Sequence, residues 1–136
     1  MFMIQKSNYF ALAILLLLVG CHYHEDNLVI RNNSNKTICY HTLTKSVTSG
    51  EYYGVSGGGE IEAHKTNSPP VRGSIEYSIE NEPSDKNLYI IFYDCKHLES
   101  INKDINSSVE SGKYQVNKYS SEELKKVNWK ISYNVK

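Results

Sequence analysis

The chain has 136 residues with 15 basic and 15 acidic side chains, a length for one domain rather than two. There is no basic excess to condense on phosphates, which sets nucleic acid aside as a partner. Eleven tyrosines stand against a single Trp129, and glycines and polar residues gather in short runs between apolar stretches, the composition of a β-rich domain and not of a disordered chain.

The N-terminal segment carries Lys6 and then an apolar run from Phe10 to Val19. About ten residues is half of what a membrane-spanning helix needs, so residues 1–20 read as a signal peptide and are left out of the fold. The run ends in Leu18-Val19-Gly20-Cys21, which resembles the lipobox of bacterial lipoproteins. That resemblance implies cleavage before Cys21, a diacylglyceryl group on its thiol and a further fatty chain such as palmitate on the new amine. Two or three chains hold a protein firmly at about 0.8 kcal/mol per buried CH₂. The expected address is the cell envelope, lipid-anchored to the outer membrane and facing either the periplasm or the exterior. Residues 21–27 form the lipidated tether. Its Glu25-Asp26 pair loosely resembles the surface-export signal of Bacteroidetes-type lipoproteins, and its His22 and His24 read as polar spacers rather than metal ligands.

Residues 28–136 form a single domain in which strands are easier to find than helices. Leu28-Val29-Ile30 and Thr37 to Leu43 flank an Asn/Ser-rich run, a hairpin signal. Gly57-Gly58-Gly59 reads as a loop, with Glu60 to Ala63 a short strand behind it. In Ser74 to Glu80, Ile75, Tyr77 and Ile79 alternate with polar residues, which predicts a strand with one buried face. Leu88 to Tyr93 is apolar on both faces and predicts the central strand. Two short helices are expected, one capped by Asp94 and running through Leu98 and Ile101, the other opened by a Ser120/Glu123 capping box. Tyr114, Val116 and Lys118 alternate as a strand between them. Trp129, Ile131, Tyr133 and Val135 lie two apart and predict a last strand with Trp129 in the core. About seven strands with turn signals between them predict an antiparallel, immunoglobulin-like β-sandwich with one or two short helices. The mature chain is similar to small Bacteroidetes-type lipoproteins. It shares their opening apolar strand, a strand ending in Asp94 and a tail that here runs from Ser120 to Tyr133. No activity follows from that resemblance.

Chemistry is sparse. Cys39 and Cys95 are read first as a disulfide, as suits an exported domain, with two separate buried thiols as the alternative. Pairing Cys95 with His97 or His41 as nucleophile and base has no supporting signature. His41, His64 and His97 are too scattered for a metal site, so neither a metal nor a cofactor is expected. The Glu60/Glu62 and Glu80/Glu82 pairs are explained by solvated strand faces before a glycosidase, and Glu122/Glu123 likewise suggests no activity. Gly57 to Gly59 lacks the Gly-Lys-Ser/Thr of a phosphate loop, and neither a nucleophile elbow nor a His-Glu-x-x-His motif occurs. Tyr52-Tyr53, placed in a glycine-rich loop, could offer a flat contact surface for glycan or protein. The expectation is a non-catalytic, lipid-anchored protein with a structural or binding role. The rivals are a glycan- or peptide-binding surface module and a small envelope enzyme or enzyme inhibitor.

Overall fold

The computed structural model describes residues 28–70, 73–81 and 83–135. The elements, in order, are β1 (Val29–Asn32), β2 (Ile38–Lys45), β3 (Tyr52–Ile61), β4 (Thr66–Asn67), α1 (Ile75–Asn81) and β5 (Asn87–Tyr93). A 3₁₀ turn (Cys95–His97), α2 (Leu98–Lys103), α3 (Ile105–Glu110), β6 (Gln115–Ser120), α4 (Ser121–Lys126) and β7 (Lys130–Tyr133) follow. Among these residues seven strands form two sheets, ordered β4-β1-β7 and β3-β2-β5-β6. Every pairing is antiparallel except β1 with β7. The β-sandwich expected from the alternation is present.

The core between the sheets joins Leu28, Ile30 and Ile131 of the smaller sheet to Ile38, Tyr40, Leu88, Ile90 and Phe92 of the larger one, with Ile75, Ile79, Leu124 and Trp129 closing its sides. Tyr40 crosses this layer and donates from Oη to Asn67 Oδ1 at 3.0 Å. β5 is buried on both faces, as its unbroken apolar run requires. Its outer face carries a second layer of Cys39, Leu43, Tyr89, Ile91 and Tyr93, covered by Ile101, Ile105 and Val109 of α2 and α3.

Four local expectations are corrected. Ser74 to Glu80 holds a helix, not a strand. Ile75 and Ile79 are four apart and both fully buried, whereas Tyr77, which a strand would bury with them, is 62% exposed. Ser74 Oγ accepts from Tyr77 N–H at the helix start. Glu76 pairs with Lys125, and Glu80 Oε1 accepts from Ser121 Oγ at 2.6 Å, so α1 docks on α4.

β1 and β2 do not form a hairpin. They belong to different sheets, and the Asn/Ser run is an arch between them. Buried Asn32 holds the arch: Nδ2 donates to Lys36 O at 2.7 Å and Ile61 O at 3.0 Å, while Oδ1 accepts from the N–H and Oγ of Ser34. Three of these partners are backbone groups, so the Asn32 side chain does at the arch what a ladder does elsewhere.

Gly57, Gly58 and Gly59 lie inside β3, not in a loop. A Cβ on Gly58 would collide with the carbonyl oxygen of Tyr40, and one on Gly59 would stand 3.0 Å from the Tyr40 ring. The glycines let β3 approach β2 where their register shifts between Tyr40 and Leu43.

Among the described residues, helices number four beside the 3₁₀ turn, against the two expected. Ser120 and Glu123 form the complete capping box of α4 as read, whereas Asp94, accepting from Lys96 N–H, caps the 3₁₀ turn that leads into α2, and α2 itself starts after His97 without a side-chain cap. Unforeseen α3 is a run of Asn and Ser whose start is fixed by Asp104, accepting from Ser107 N–H at 3.0 Å. β7 ends at Tyr133, and Val135 is 70% exposed.

Candidate functional site

The polar side chains that converge lie on the outer face of the larger sheet, at the end where β2 begins and β5 finishes. Cys39 faces Tyr93 across β2–β5 and Glu60 across β2–β3. Cys95 follows β5 by two residues and is bonded to Cys39, with the Cα atoms 5.0 Å apart. Strand and helical cover are thereby stapled at one corner. A Glu60 carboxylate oxygen and the two sulfurs lie within 4.8 Å of one another. Both sulfurs are held in one bond, so only the carboxylate is left with the charge a metal ion prefers.

His41 is the next residue on the same face of β2. Its Nδ1 lies 2.7 Å from Tyr93 Oη, and the two rings stack at 5.7 Å. Tyr114 packs edge-on against Tyr93 at 6.3 Å and against His97 at 5.8 Å. Burial lowers the His41 pKa, and a hydrogen bond with Asn102 of α2 opposes that shift in part. Burial also pushes the Tyr93 phenol up to about 12. We assign the neutral imidazole with its proton on Nε2, toward Asn102, so that Tyr93 O–H donates to Nδ1. This pair holds a proton in place and lacks a free nucleophile, because the sulfur beside it is already bonded to another.

Two of the three predicted site groups fall within the described residues. Cys39 and Cys95 come together. Tyr52 and Tyr53 are successive residues of β3 and point to opposite faces, so they do not share one flat surface, and both are half-buried. Tyr52 meets Tyr89 edge-on at 5.1 Å beneath Lys45 Nζ, while Tyr89 donates to Asp85 and is capped by Lys118 Nζ at 5.5 Å. Burial first, then Asp85, drives the Tyr89 phenol far above its ordinary value. The backbone N–H of Tyr52 donates to Asn106 Oδ1 at 2.6 Å, tying α3 to the sheet. Cys21, His22 and His24 lie outside the described residues, as does Glu82. Trp129 is buried in the core, where the alternation places it. Glu80 and Glu123 serve structural bonds to Ser121 and Ser120. His64 is remote from the corner and contacts Asn35 at 2.8 Å.

Sequence reasoning missed the His41–Tyr93 pair and its partners Tyr114, His97 and Asn102. The available signal was that His41 shares strand parity with Cys39 and Leu43, which places it on the covered face. Fold and corner together define a disulfide-stapled β-sandwich with a helical cover on one sheet. Comparisons with protein families, with curated proteins and with solved structures returned no match.

Proposed function

We propose that this chain is a lipid-anchored cell-envelope protein whose domain acts by binding or as a structural element and not by catalysis. The observation that carries this reading is the Cys39–Cys95 disulfide in a chain that also bears Leu18-Val19-Gly20-Cys21. Disulfides persist in the oxidising compartments outside the cytoplasm, and that is where the leader directs the chain. The two signals are independent, one a bond in the folded domain and the other a pattern ahead of it. A non-catalytic role is supported by the sulfur chemistry: the nucleophile that Cys95 could have offered to His41 or His97 is committed to Cys39. The binding alternative finds its best support in the half-buried rings of His41, Tyr114 and His97, not in Tyr52 and Tyr53.

The test is fractionation of cells that express the full chain beside its Cys21→Ala variant, with intact mass measured on the purified product. Wild type should sediment with membranes and carry the added mass of its acyl chains, while the variant should be released from the membrane fraction. An unmodified Cys21, or identical fractionation of the two, overturns the reading.

A further inference from the structure

The domain has two distinguishable ends. Tyr93 lies opposite Cys39, so the disulfide marks one end of the larger sheet; Asn87, at the other end of β5, lies opposite Ser120, where α4 begins. The smaller sheet enters from that second end. Val29 is paired with Lys130, and its N–H donates to Trp129 O at 2.8 Å. The chain arriving from Cys21 therefore enters the fold beside the turn that joins α4 to β7.

That turn reads Lys125-Lys126-Val127-Asn128-Trp129-Lys130. Trp129 is turned into the core, and the other five are exposed, with Val127 46% open to solvent. The backbone makes this presentation possible. Asn128 and Trp129 both have positive φ, 52° and 58°, and Trp129 N–H bonds back to Leu124 O at 2.8 Å. The left-handed pair stops the helix abruptly and leaves Val127 outside. Lys125 is paired with Glu76. Lys126 and Lys130 make no ion pair among the described residues. Glu123, one turn back, acts electrostatically on Lys126, but both lysines remain exposed. An apolar side chain flanked by exposed lysines is the chemistry of a bilayer surface, where the ammonium groups meet phosphate and the apolar group enters the boundary beneath.

We infer that the α4–β7 turn, through Lys126, Val127 and Lys130, docks on the anionic phospholipid headgroups of the membrane that holds the anchor. The inference rests on the proposed lipidation of Cys21. Cys21 stands seven positions before Leu28, so domain and lipid are separated by at most about 25 Å of extended chain. Anchoring on so short a leash keeps this end at the bilayer at high effective concentration. Glu25 and Asp26 in the tether repel the same anionic surface, so the acyl chains provide attachment and the turn provides orientation. The disulfide corner, with His41, Tyr93 and Tyr114, then faces away from the membrane, where a soluble partner can reach it.

The test is lysine footprinting of the purified, lipidated full-length protein in phosphatidylglycerol vesicles and in phosphatidylcholine vesicles. An amine-reactive ester is quantified by mass spectrometry at each lysine. Lys126 and Lys130 should react about fivefold more slowly in the anionic vesicles, the factor that corresponds to roughly 1 kcal/mol per surface lysine. Lys96 and Lys113, beside Cys95 and Tyr114 at the opposite end, should react equally in both. In the Val127→Asp variant the slowing at Lys126 and Lys130 should disappear while the protein stays with the vesicles. Equal labelling of lipidated protein in the two vesicle types overturns the docking and leaves the anchor intact. Slowing that depends on protein concentration and not on lipid charge also overturns it, because a second copy then covers the turn. Failure of the anchor has a separate signature, the absence of acyl mass on Cys21.

Discussion

Cys39 and Cys95 lie 56 residues apart in sequence and 5.0 Å apart at Cα, and their bond ties the central strand β2 to the first turn of the helical cover. The loop it closes contains α1 and β3 to β5, so the bond restricts half of the domain in the unfolded state. In the chain-entropy treatment, a loop of that length is worth about 4 kcal/mol. The Cys39→Ser, Cys95→Ser double variant should lose about that much in urea unfolding. A loss below about 1 kcal/mol would mean that the unfolded chain already holds these segments together.

Asn32 makes the arch between the sheets, and its two ends do different work. Asn32→Ala removes the side-chain partners of the Ile61 carbonyl and the Ser34 N–H in a buried site, while the Lys36 carbonyl keeps only the Ser34 hydroxyl. The expected cost is about 3 kcal/mol, read from chemical denaturation. Asn32→Asp keeps the acceptor but puts a second carboxylate oxygen where Nδ2 donated to carbonyls. It should be at least as damaging at neutral pH and recover in part as acid protonates the new side chain. If Asn32→Asp equals wild type at neutral pH, the donor half of this network carries no weight.

The glycines of β3 separate close approach from simple flexibility. Gly58→Ala drives a methyl group into the Tyr40 carbonyl and should destabilise the domain by about 2 kcal/mol or more. Gly54→Ala meets nothing within 4 Å in the same strand. It should be neutral or stabilising by about 0.5 kcal/mol through the unfolded chain. Thermal melts of the two variants side by side check this; similar losses in both would point to strand flexibility instead of the contact with Tyr40.

What could be read from the sequence was what short-range physics decides. Leu88 to Tyr93 declares its central place because no face of it is polar, and Ser120 and Glu123 declare a helix start because both halves of the cap are three residues apart. Ile75 and Ile79 do not decide between strand and helix, since a spacing of four fits both periods; the docking of Glu76 and Glu80 on α4 settles it in three dimensions. Gly57 to Gly59 reads as a loop until Tyr40 and His41 are seen pressed against it from another strand. The same distance in sequence hides the site. Cys39 and Cys95 announce a pairing because cysteines are few, whereas Tyr93 is one of eleven tyrosines and nothing near it in the chain points to His41, 52 residues away.

The His41–Tyr93 pair also predicts a pH dependence with a definite sign. Burial holds the folded-state pKa of His41 below its ordinary 6.5, with the Asn102 bond opposing in part. On acidification the unfolded chain therefore takes up this proton first. Between 6.5 and the lowered folded value the unfolded state binds more protons, so stability falls as pH falls through that window. Above 6.5 the imidazole is neutral in both states and the contribution is fully present. His41→Gln removes the titration while keeping a side chain able to accept from Tyr93 O–H. Urea midpoints measured from pH 7.5 down to about 5 should decline more steeply for wild type than for His41→Gln. Every other side chain is common to both proteins, so the difference isolates His41. Parallel curves would show that the His41 ring gains a proton as readily in the folded domain as in the unfolded chain, and the buried neutral pair assigned to the corner would have to be abandoned.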